Sequence, residues 1–206
     1  MRYARIANEV WITDPGKKQI EVFSFSTTNK PTLKHSLFIS VPGGPESLVI
    51  DNIRRRAYTN LWAGTTVAID IKTHAIVAKW QNGCEGSRGI ALDEKRWFLF
   101  VGSKEGKAVV LDLNHDGKLL SSLQAGSGID IIGYNPELSH LYVPGGSSAT
   151  MAILGVSGKG KLSLLGTIKT AKGSRCAISD DRNNVWISDP TRGRLLLLKD
   201  TFAKTN

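Results

Sequence analysis

The chain has 206 residues, of which 41% are hydrophobic and 22% charged, the balance of an ordinary globular domain. Its 27 lysines and arginines against 18 aspartates and glutamates leave a net charge of +9; such an excess suits anionic partners, but the charges are scattered and serve solubility equally well. No apolar run approaches the roughly 18 residues of a membrane-spanning helix, two cysteines (Cys84 and Cys176) are too few for a disulfide scaffold, and Met1–Ile6 carries no apolar leader, so membrane insertion is not expected.

An aromatic opening a short apolar run recurs at Trp11, Tyr58, Phe100, Tyr142 and Trp186, with gaps of 47, 42, 42 and 44 residues. A period near 40 to 45 residues with several short strands per repeat is the signature of β-propeller blades. The expectation is all-β: one β-propeller domain over residues 1–206, with about five four-stranded blades, strands A to D running from the axis outward.

In the first repeat, Trp11–Asp14 reads as strand B, Ile20–Phe23 as strand C, and His35 falls near the start of strand D. In the second, Leu48–Asp51 is strand A and Val67–Asp70 strand C. The third is clearest: Gly89–Asp93, Trp97–Gly102, Ala108–Asp112 and Lys118–Leu123, with an Asp116-Gly117 hairpin signal before the last. The fourth offers Ile131–Tyr134, Tyr142 and Met151–Leu154; the fifth offers Cys176–Ser179, Trp186–Asp189 and Leu195–Leu198. These strands are nearly continuous in Val, Ile, Leu and aromatics, as expected where both faces of a sheet are covered. The chain begins inside the first strand A, and Thr201–Asn206 is too short for a last strand D. Two arrangements follow. In one the ring is incomplete, exposing apolar blade faces and inviting a homo-oligomer. In the other the start of the chain completes the last blade and closes a ring of five.

The repeats resemble those of the YVTN-repeat, YncE-like β-propellers of bacteria. The matching stretches are Glu9–Pro15, Gln19–Phe23, Gly86–Asp93, Lys107–Leu113, Leu141–Gly146 and Val185–Pro190. The resemblance covers essentially residues 1–202 and implies a propeller in a periplasmic or secreted setting, with no agreed catalytic residues to carry over.

In a propeller, the D-to-A and B-to-C loops gather on one face around the central channel. Equivalent positions at the mouth of strand A are Glu46, Arg88, Asp130 and Arg175, spaced by 42, 42 and 45 residues and alternating in sign. One reading is a ligand ring, with Arg88 and Arg175 forking onto a carboxylate or phosphate. The other is a structural ring of ion pairs that neutralises itself. Glycine-rich loops at Pro42–Pro45, Gly83–Gly86, Gly126–Gly128 and Lys172–Ser174 either offer backbone N–H groups to an anion or supply the positive φ of tight turns. Trp62, in a B-to-C loop, is a lid, a partner hot spot or packing. Cys84 beside Glu85 is a reactive thiol or a buried one.

No nucleophile–base pair suggests itself, so no catalytic residue is assigned. His74 and His115 fall in C-to-D turns and His140 in an A-to-B turn, away from the ring face, so no metal site and no cofactor are expected. The leading functional expectation is a non-catalytic scaffold holding a protein, peptide or small ligand at the channel mouth. Its alternatives are a lactonase-like, metal-dependent hydrolase, and nucleic-acid binding through the basic surface.

Overall fold

The computed structural model describes residues 1–27 and 30–206. It contains five antiparallel sheets in chain order, set side by side as the blades of a propeller. Blade 1 holds β1 (Arg2–Ala4), β2 (Glu9–Asp14), β3 (Gln19–Ser26) and β4 (Thr32–Ser40). Blade 2 holds β5 (Pro45–Asp51), β6 (Arg56–Leu61), β7 (Thr65–Asp70) and β8 (Ile76–Gln81). Blade 3 holds β9 (Ser87–Asp93), β10 (Phe98–Ser103), β11 (Lys107–Asp112) and β12 (Lys118–Gln124). Blade 4 holds β13 (Gly133–Asn135), β14 (His140–Gly145), β15 (Thr150–Val156) and β16 (Leu162–Lys169); blade 5 has only β17 (Ala177–Ser179), β18 (Asn184–Asp189) and β19 (Arg194–Lys199).

Alternation along each strand sends successive side chains to opposite neighbours. In β10, Leu99 and Val101 pack with Tyr58 and Ala68 of blade 2, whereas Phe98 and Phe100 pack with Leu141 and Val143 of blade 4. This explains the unbroken apolar run of β10, all six of whose residues are buried, since neither of its faces is left for water. Each repeat aromatic points forward: Trp11 enters the core between blades 1 and 2, Tyr58 that between 2 and 3, Phe100 that between 3 and 4, and Tyr142 that between 4 and 5.

Among the described residues no core joins blade 5 to blade 1. The forward face of blade 5 carries Trp186, half-buried, in register with Ile178 and Leu197, which are 62% and 57% exposed. The rear face of blade 1 carries Tyr3 and Phe38, 41% and 59% exposed. The array is an open arc. The start of the chain does not complete the last blade, because β1 pairs with β2.

Other local readings shift by a residue or more. Strand A of blade 4 is shorter than expected: Ile131 leaves its own blade and bridges Cys176 of blade 5 in parallel. Trp97 sits in the turn before β10 with φ of 63°, and the Arg54 guanidinium lies 3.4 Å from its ring centroid. His140 opens β14 and is fully buried. Its Nδ1 is 2.8 Å from Asp200 and its Nε2 3.1 Å from the Ala203 carbonyl, while the Thr205 N–H donates to Leu138. The segment after β19 thus crosses back onto blade 4 instead of forming a fourth strand.

Candidate functional site

The D-to-A and B-to-C loops do gather at one mouth of the channel, here the upper mouth, and a chain of backbone hydrogen bonds ties them together. Gly86 N–H donates to Trp62, Lys104 to Gly86, Gly128 to Lys104, Gly146 to Gly128 and Gly173 to Gly146, at 2.8 to 3.1 Å. The chain steps from a B-to-C loop to the next D-to-A loop, blade after blade. Its geometry demands glycine: Gly86, Gly128 and Gly173 have φ of 65°, 71° and 82°, where a side chain is strained. The N–H groups of these residues donate to neighbouring loop carbonyls and are not free for an anion.

A cavity of about 480 Å³ lies over blade 4 at this mouth. Gly128, Ile129, Gly146 and Ser147 form its floor, and Arg88, Lys104, Lys172 and Arg175 surround it. No carboxylate lines it. Among the described residues none of the four cations forms an ion pair or donates a side-chain hydrogen bond. Like charges gathered with no carboxylate in the lining raise the local potential and favour an anion.

The positions aligned from the sequence part company here. Arg88 and Arg175 meet across the cavity. Asp130 is half-buried between the bridge residues Ile129 and Ile131 and does not line it. Glu46 turns to blade 2, accepting from Trp62 Nε1 at 2.5 Å. That bond holds the Trp62 ring, which stays 50% exposed. Glu85 is exposed, and its backbone N–H donates to Glu105 at 3.0 Å, which, with the nearby Lys107 ammonium, holds the Glu105 carboxyl below the usual range. The ion pairs of a self-neutralising ring do not form among these four residues. Lys104 and Lys172 were not singled out in the sequence. Lys104 is the counterpart of Trp62 one repeat on, and comparing B-to-C loops alone would have flagged it.

Cys84 is buried, and burial pushes its thiol up to about 11, so it is not a reactive thiol at neutral pH. Burial, then the nearby Asp130 charge, also raises the Cys176 thiol.

The opposite, lower mouth is built differently. Asp93 closes the A-to-B turn by accepting from the backbone of Lys95 and Arg96, and also accepts from Arg96 Nε at 2.7 Å and Tyr134 OH at 2.6 Å. Asp51 does the same for Ile53 and Arg54 one repeat earlier. Burial pushes the Asp93 carboxyl up, but the bonds from Tyr134 and Arg96 outweigh it and hold it below the usual range. A cavity of about 630 Å³ opens there, walled by Ile50, Ile90 and Ile132 and carrying both Lys95 and Glu94. Among the described residues no three His, Cys, Asp or Glu side chains gather as metal ligands.

No family model and no curated protein matches the sequence. Solved structures do match in fold. A provisionally assigned 6-phosphogluconolactonase from Bacteroides fragilis superposes with a TM-score of 0.75 at 18% identity, over 91% of this chain and 56% of that one. A second so assigned, from Bacteroides uniformis, gives 0.73 at 16%, over 83% and 54%. A chain of a nidogen/laminin complex gives 0.70 at 15%, over 96% and 73%. This chain therefore spans little more than half the length of the first two. At these identities the likeness establishes the propeller fold and nothing finer.

Proposed function

We propose that the chain is a β-propeller binding scaffold whose upper cavity takes an anionic ligand through a carboxylate or phosphate. The observation that carries this reading is the set of unpaired cations, Arg88, Lys104, Lys172 and Arg175, around a concave site without an acid. The two arginines supply planar forks suited to an oxyanion, and the two lysines supply mobile point charges. The exposed Trp62 beside Glu46 marks the rim toward blade 2 as a further contact for a protein or peptide ligand. The YVTN-repeat, YncE-like assignment, and the bacterial periplasmic or secreted setting it implies, belong to this reading and rest on the repeat motifs.

The test is calorimetric titration of inorganic phosphate into the protein and into Arg88→Ala/Arg175→Ala. Each charge-assisted hydrogen bond contributes about 1.5 to 3 kcal/mol, so the double variant should lose phosphate binding while keeping its melting temperature. Equal binding by both proteins would remove the cavity as the site.

The names of two similar structures favour a second reading, a hydrolase of phosphorylated sugar lactones. The cationic cavity suits the phosphate of such a substrate. No His, Cys, Asp or Glu lines the cavity to act as a base. Turnover of a phosphorylated sugar lactone above the buffer rate, lost in the same double variant, would establish this reading over simple binding.

A further inference from the structure

A second cationic cavity adjoins the first. About 420 Å³ in volume, it lies between the D-to-A loop that enters blade 5 and the B-to-C turn of blade 5. Lys169, Lys172, Arg192 and Arg194 line it with one acid, Asp189. That acid is already engaged: Arg194 Nε donates to it at 3.0 Å and Thr191 Oγ1 at 2.7 Å. Lys169, Lys172 and Arg192 remain without an ion pair among the described residues. Lys172 lines both cavities, so the two form one cationic track from blade 3 across blade 4 to blade 5.

The loop between the cavities also holds two unused hydroxyls. Thr170 Oγ1, in the wall of the second cavity, and Ser174 Oγ, in a fully buried residue beside Arg175, are buried with no hydrogen-bond partner among the described residues. Unpaired buried hydroxyls are uncommon and call for a partner. No aromatic side chain lines either cavity, so the track offers no platform on which nucleobases stack. It offers repeated point charges and small apolar patches at Ile129 and Leu196.

We infer that the natural ligand of this face is an extended acidic peptide segment, whose successive carboxylates occupy the first cavity and then the second, bridged at Lys172. The inference rests on the first cavity being an anion site. A single small anion occupies only one cavity. A chain of carboxylates uses both, and the second engagement is then intramolecular and strengthens binding without new contacts at the first.

Fluorescein-labelled decaglutamate, inorganic phosphate and an oligothymidylate of matched charge test this, with anisotropy for the polymers and calorimetry for phosphate. Arg192 is exposed and lines only the second cavity, so Arg192→Ala should keep the wild-type melting temperature and phosphate affinity. It should weaken decaglutamate binding about fivefold, the worth of one partly exposed ion pair near 1 kcal/mol. Arg175→Ala should weaken both ligands. Decaglutamate binding indifferent to Arg192→Ala, with phosphate still bound, would overturn the extended peptide and leave the first cavity standing. No phosphate binding by the wild-type protein would overturn both readings. Tighter binding of the oligothymidylate than of decaglutamate would replace the peptide by a nucleic acid.

Discussion

At the scale of single residues, the polar side chains that hold the blades differ from those free to bind. Asp93 is 4% exposed and takes up every donor around it: two backbone amides, Arg96 and Tyr134. Its carboxyl is held below the ordinary carboxylate range, so it is stabilising as the anion. A depressed folded value means that this stabilisation is complete above the unfolded pKa near 4 and is lost as pH falls through the folded value. Asp93→Asn should therefore destabilise the fold by about 2 to 4 kcal/mol at neutral pH, since Arg96 loses its counter-charge. It should also flatten the acid limb of a stability–pH curve measured by urea unfolding. An unchanged acid limb would show that other carboxylates, such as Asp180, held at about 2 by its bonds to Asn184 and Arg182, set it instead. This network was legible in principle, because Asp51-x-x-Arg54 and Asp93-x-x-Arg96 stand 42 residues apart. The alternating charges at the mouth of strand A report the opposite end of the channel and carry no sign of it. The cavity cations were half legible. Arg88 and Arg175 emerge from repeat alignment at the mouth of strand A, and Lys104 and Lys172 lie outside that alignment, one in a B-to-C loop and the other in a D-to-A loop.

At the scale of strands and loops, the alternation of partners along β10 accounts for why these strands read as continuous apolar runs. Periodicity gives their places to within about three residues, the largest offsets being at the start of β5 and the end of β3. It failed at strand A of blade 4, where Ile131 bridges blade 5, a pairing between blades that no local pattern encodes. At the fifth blade's outer edge the short Thr201–Asn206 tail forms no strand D, as its length predicts, and buried contacts of His140 and Tyr142 with Asp200 draw the chain back to blade 4. The B-to-C loop of blade 3 links scaffold to site, since it carries Lys104 and turns at Gly106. A Cβ at Gly106, where φ is 104°, would lie 1.6 Å from the Gly126 carbonyl oxygen. Gly106→Ala should cost more than about 2 kcal/mol, lowering the melting temperature by about 4 to 8 °C. It should also weaken phosphate binding, because Lys104 and Gly128 are joined through this loop. A variant that melts as the wild type does would show that the loop relaxes freely.

At the scale of the whole molecule, the arc has two unlike ends. Each repeat aromatic faces the following blade, and Trp186 of the last repeat faces none. Leu197 shares its exposed face at 57%, whereas Leu99 in the core between blades 2 and 3 is fully buried. Leu99→Ala should cost about 2 to 5 kcal/mol and Leu197→Ala no more than about 0.5 kcal/mol, by equilibrium unfolding. A core-sized loss at Leu197 would mean that its face is covered in solution, as in a homo-oligomer built on the open blade faces. Sedimentation at several concentrations would then show that association directly. The sequence placed the blades around one axis but left open whether the ring closes. Closure depends on how the first and last sheets meet, and no repeat motif reports that.

The proposed anion site lies at the upper mouth of the channel and not at the lower one, where the cavity carries charges of both signs. Backbone amide chemical shifts followed by NMR as inorganic phosphate is added test it most directly. Binding at the upper mouth should give saturable shifts at Gly128, Ser147 and Gly173, with Asn52 and Tyr134 at the lower mouth unmoved. Saturable shifts confined to the lower mouth, or none at either, would contradict it.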